Sequence, residues 1–136
     1  MATRKIFISY DYDSDSYYKN LLLAWSRNPD FADFYIHDQP VTVPVDSNNA
    51  GSIKRVVSAK IDAATGFLCI VGNQAHASGW VDWEIRKALA LRKKMIAVNT
   101  ASVNQTPSAL FGAGATWAQS FTLEAISKAL DEAYAH

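Results

Sequence analysis

Glu84 is the residue with the most to offer chemically, because of its company. In Ser78-Gly79-Trp80-Val81-Asp82-Trp83-Glu84-Ile85 a carboxylate shares one short stretch with two indoles and a serine hydroxyl. If the stretch is helical, Trp80 and Glu84, four residues apart, lie one above the other on the same side. A lone helix glutamate is ordinarily a solvated surface group. Here the tryptophans supply an apolar wall that would partly desolvate the carboxylate and make its charge worth more to a ligand.

The flanking sequence says where that group would stand. Phe67-Leu68-Cys69-Ile70-Val71 is a continuous apolar run closed by Gly72 and Asn73, with the length and β-branched content of a strand buried on both faces. After the motif, Val81, Ile85, Ala88 and Leu89 recur at helical spacing and form a core face. The carboxylate therefore belongs to the opening turns of a helix that follows the carboxyl end of a buried strand, the rim at which open α/β sheets bind ligands.

The remaining elements alternate in the same way. Lys5 to Ser9 reads as a central first strand, and Tyr10 to Asp15 as the loop at its carboxyl end. Helix A carries Tyr17, Tyr18, Leu21, Leu22 and Trp25 and stops before Asn28-Pro29, since the residue preceding a proline avoids the helical region. A short strand Phe34-Tyr35-Ile36 follows, then a loop from His37 to Gly51, then helix B with Ile53, Val56, Val57, Lys60, Ile61 and Ala64. Met95 to Val98 is a fourth strand and Ala115 to Ala118 a fifth, joined by a loop with one short turn over Ser108 to Phe111; Leu123, Ile126, Leu130 and Tyr134 line the last helix. Such alternation calls for an α/β fold with a parallel sheet covered on both faces by right-handed crossovers, in strand order 2-1-3-4-5. One domain over residues 1–136 fits the length.

Other chemistry is thinner. Asp11, Asp13 and Asp15 alternate as a calcium loop begins, but Ser16 stands where glycine is needed and Leu22 where the bidentate glutamate is needed. A phosphoacceptor role would require an aspartate at the end of strand three, where the chain has Gly72-Asn73. The remaining reading has Asp15 or Ser14 capping helix A, with Tyr10 and Asp11 lining the crevice beside Glu84. Asp46-Ser47-Asn48-Asn49-Ala50-Gly51-Ser52 is explained by turn and cap chemistry. It equally allows the amides opening helix B, with the Ser47 and Ser52 hydroxyls, to cradle a pyrophosphate. Cys69 is alone and no His or Cys stands at ligand spacing, so neither a disulfide nor a metal site is expected. Thirteen basic residues balance thirteen acidic ones, which leaves no global field for nucleic acid or an anionic membrane. With no apolar run of membrane-spanning length and no signal-peptide core at the N-terminus, the cytoplasm is the expected compartment.

Ser78, Trp80 and Glu84 also resemble a family motif, the Ser-x-Trp-x-x-x-Glu of Toll/interleukin-1 receptor (TIR) domains that cleave NAD. The likeness extends to Lys5-Ile-Phe-Ile-Ser-Tyr-Asp-Tyr-Asp, Tyr18-Lys-Asn-Leu-Leu, Val41-Thr-Val-Pro-Val-Asp-Ser, Ile53-Lys-Arg-Val-Val-Ser-Ala-Lys-Ile, Thr106-Pro-Ser-Ala-Leu and Ala115-Thr-Trp-Ala-Gln-Ser-Phe. Together these are similar to the compact TIR-like proteins of the Thoeris antiphage system, the ThsB family. The resemblance implies a flavodoxin-like three-layer sandwich with a five-stranded parallel sheet. It implies Glu84 as the catalytic residue and NAD as substrate with no resident cofactor; taken with the residue readings above, Tyr10, Asp11, Asp46, Ser47, Ser78, Trp80 and Trp83 are the expected substrate-binding residues. The product would be nicotinamide plus a cyclic ADP-ribose isomer that switches on a separate effector, and self-association is expected. The departure is the abbreviated segment between strands four and five, where larger TIR domains keep another helix. Many TIR domains are adaptors that only bind other TIR domains, so an interaction module is the alternative function at this stage.

Overall fold

The computed structural model describes residues 4–28, 34–36 and 50–135. Five strands, β1 (Lys5–Ser9), β2 (Tyr35–Ile36), β3 (Gly66–Val71), β4 (Lys94–Asn99) and β5 (Thr116–Ala118), form one parallel sheet in the order β2-β1-β3-β4-β5. Among the described residues four helices cover it: α1 (Tyr12–Ser26), α2 (Ala50–Ala63), α3 (Gly79–Ala90) and α4 (Leu123–Tyr134). Among the described residues no helix is long and apolar enough to cross a membrane.

The period-two alternation of the strands divides the core. Ile6 and Ile8 of β1, Leu68 and Ile70 of β3, and Ile96 and Val98 of β4 pack with Leu22 of α1 and Ile126 and Leu130 of α4. Phe7, Phe67, Cys69, Val71, Met95 and Ala97 point the other way, onto Ile53, Val57 and Ile61 of α2 and Val81, Ile85 and Ala88 of α3. Both faces are buried, so β3 and β4 read as unbroken apolar runs. Cys69, fully buried, is the small core residue its setting implies.

Two local features have physical causes, the first of them a departure from the sequence expectation. The stretch expected as a loop through Asp15 is already helical from Tyr12, because Asp11 holds an extended backbone and its carbonyl accepts the N–H of Ser14 at 3.2 Å and Asp15 at 2.8 Å. Neither Asp15 nor Ser14 is therefore the cap, and no side chain caps α1. Between β4 and β5 the chain has a single 3-10 turn, Ser108–Leu110, and then Gly112 and Gly114 at φ of 76° and 71°. Side chains rarely adopt that left-handed conformation, which accounts for the glycine pair.

Candidate active site

The α3 N-terminus is built by Ser78, whose Oγ accepts the N–H of Val81 at 3.2 Å and so satisfies one of the orphan donors of the first turn. From that start Val81, Ile85 and Ala88, all at 0% exposure, dock the helix on β1 and β3. Docked in this way, α3 carries Glu84 across to the carboxyl end of β1. Ser9, fully buried and last in its strand, faces the same side as Phe7 and donates from Oγ to Glu84 Oε1 at 2.7 Å. Ser9 is paired in register with Cys69 of β3, so the carboxyl group lies over the adjoining ends of two central strands.

The residue as a whole keeps some accessible surface, but its carboxyl group is set deep among protein atoms. Burial pushes its pKa up to about 8, against the opposing effect of the Ser9 hydrogen bond. Burial thus favours the protonated form of the carboxyl group up to about pH 8. Burial also raises the Cys69 thiol, with the nearby charges of Glu84 and Asp15 adding to it.

Asp15 is the second buried carboxyl group. It is 2% exposed, and burial followed by the charge of Asp11 raises its pKa. Its carboxyl group occupies the space a side chain at Gly72 would need, and Oδ2 has no hydrogen-bond partner among the described residues.

Trp80 and Trp83 stand edge to face, ring centroids 5.7 Å apart at 85°, half-buried against the α2/α3 side of the core. The Lys54 ammonium from α2 lies 6.0 Å and 5.6 Å from their ring centroids. Of the other expected contacts, Asp11 occupies the cap position of α1, while the ring of Tyr10 packs against the α1/α4 cluster, on the opposite side of the sheet from Glu84's helix. Ser52 lies within the first turn of α2, exposed, its Oγ accepting from Arg55 at 3.4 Å. Asp46 and Ser47 lie outside the described residues.

Ser9, Asp15 and Lys54 were not singled out as site residues from the sequence. Ser9 had a legible signal, as the polar last residue of an otherwise apolar strand on the face that Phe7 buries. Asp15 and Lys54 had none, since a helix aspartate and a helix lysine are ordinarily solvated. Among the described residues no group of three or more His, Cys, Asp or Glu side chains could hold a metal ion. A cavity of about 540 Å³ at the ends of β4 and β5, bordered by Asn99, Trp117 and Phe121, contains none of the expected site residues.

The model for the family described as Thoeris protein ThsB, TIR-like domain, matches residues 7–105, a span that includes Ser9, Asp15, Lys54, Ser78, Trp80 and Glu84. No curated protein matches the chain. With that match over most of its length, and with a flavodoxin-like five-stranded parallel sheet in the order expected of a TIR-like fold, the chain belongs to the ThsB family of TIR-like domains.

Proposed function

We propose that this domain cleaves the bond between nicotinamide and ribose in NAD, with Glu84 as the catalytic carboxylate. The observation that carries the reading is the Ser9–Glu84 hydrogen bond of 2.7 Å, which fixes a desolvated carboxyl group at the ligand-binding rim of the sheet. Bond breaking leaves positive charge spread over the anomeric carbon and ring oxygen. Nicotinamide leaves as a neutral molecule from an already cationic ring, so no general acid is needed to expel it. An ionised Glu84 beside the ribose accepts hydrogen bonds from its hydroxyls and stabilises the oxocarbenium-like state, an interaction stronger there than in the ground state. If an adenosine-ribose hydroxyl is held against the anomeric carbon, its effective concentration exceeds that of bulk water and the product closes into a cyclic ADP-ribose. That product would carry the signal to a separate effector in antiphage defence. Incubation with NAD and detection of nicotinamide tests the reading, and silence under all conditions would favour an interaction module.

The raised pKa sets the pH dependence. Glu84 acts as the charged form, which the free protein gains only as pH rises through about 8, so kcat/KM should climb with pH and level off above that value. Ser9→Ala removes the hydrogen bond that favours the charged form. The climbing limb should then move to still higher pH, with a loss of about three- to tenfold at neutral pH for a hydrogen bond worth ~1 kcal/mol. Superimposable profiles for the two proteins would count against this role of Ser9.

Self-association belongs to the same proposal. A crevice built from so few residues encloses a dinucleotide poorly, and a neighbouring molecule would supply the missing wall. Specific activity should therefore rise with protein concentration; a flat value across a wide dilution series removes the idea.

A further inference from the structure

We infer that Lys54 is the cation that receives the pyrophosphate of the dinucleotide, and that it leaves the faces of Trp80 and Trp83 when it does so. The inference rests on the NAD reading above. Lys54 is exposed on α2, yet its ammonium is gathered over two indoles that belong to the same turns of α3 as Glu84. Among the described residues no carboxylate pairs with it. Among the described residues its ammonium is held by aromatic faces only.

A cation over indole rings at an exposed site is held by only ~0.5–1 kcal/mol, whereas a hydrogen bond to a charged oxygen contributes ~1.5–3 kcal/mol. An arriving phosphate therefore outcompetes the rings. The need for such a cation follows from the surroundings. Asp15 and Asp11 lie at this rim and Glu84 is charged there in its acting form, and a chain whose formal charges cancel provides no general attraction to offset them. Lys19 is 5% exposed and lies 6.0 Å from the ring of Tyr10. Of these two lysines, Lys54 combines exposure with a place over the tryptophans of the helix that carries Glu84.

The test titrates the protein with ADP-ribose, which keeps the pyrophosphate and lacks nicotinamide, at constant ionic strength. Tryptophan emission and calorimetry follow binding. Lys54→Met keeps the length and the packing of the stem but not the charge; it should weaken ADP-ribose binding about tenfold, equivalent to ~1.4 kcal/mol, and raise KM for NAD in parallel. Lys54→Arg should stay within about threefold of wild type, because a guanidinium also makes charge-assisted hydrogen bonds to phosphate. Equal ADP-ribose affinity in the wild-type and Met proteins overturns the inference, as does an Arg protein as weak as the Met protein, or a wild type that does not bind ADP-ribose. The NAD reading fails separately: a wild type that binds ADP-ribose through Lys54 but releases no nicotinamide from NAD would leave Lys54 as a phosphate ligand and remove the cleavage reaction.

Discussion

Glu84→Gln should reduce nicotinamide release from NAD by about 10²-fold or more, the loss expected when a charged group that stabilises a transition state is replaced by its neutral isostere. The amide keeps the shape of the side chain and can still accept from Ser9 Oγ, now 2.7 Å from Oε1 in the native protein. What disappears is the negative charge that appears as pH rises through about 8. Its profile should therefore be low and flat where that of the wild type climbs. The fold should not suffer. Native Glu84 holds its proton up to about 8 against an ordinary value of 4.5, so the unfolded chain binds fewer protons between those limits and wild-type stability falls as pH rises through that window. Glutamine has nothing to ionise, and the variant should melt at or above the wild-type temperature at alkaline pH. A correctly folded Glu84→Gln protein that releases nicotinamide at nearly the wild-type rate would transfer the function to the interaction-module reading.

Gly72→Ala should be the costliest small substitution in the rim. A Cβ there would clash with both carboxylate oxygens of Asp15 and with its Cγ. Both residues are buried and the aspartate side chain is short, so the carboxyl group cannot withdraw without moving the first turns of α1. Overpacking of this kind costs ~1–3 kcal/mol. For a domain of this size that corresponds to a fall of roughly 4–12 °C in Tm. Asp15→Ala vacates the space, so Gly72→Ala should cost less in that background, and the double-mutant cycle should show a coupling of ~1 kcal/mol or more. Urea midpoints of the four proteins decide it. Strict additivity, or a Gly72→Ala protein as stable as wild type, would mean that the carboxyl group and the glycine are not in contact.

Gly72 also marks the boundary of what could be read in advance. In the linear chain it simply closes an apolar run, and nothing about it announces that a helix aspartate fifty-seven positions earlier lies against it. The same holds for Lys54, whose rings come from another helix. Each of these is a long-range contact, and local sequence has no term for which side chains the sheet order will bring together.

The elements and their order follow from local patterns along the chain. Unbroken apolar runs made β3 and β4 doubly buried strands, helical spacing of Val81, Ile85 and Ala88 set the docked face of α3, and the alternation of strand and helix required parallel crossovers, as observed. The sequence also singled out Glu84 and its tryptophans, since their spacing along one helix is a local property. Only the tertiary structure decided what Glu84 meets: a buried Ser9 from the neighbouring strand and a setting so poorly solvated that the carboxyl group keeps its proton to about pH 8. Desolvation depends on every atom packed around a group, whichever part of the chain it comes from, and so it exists only once the chain has folded.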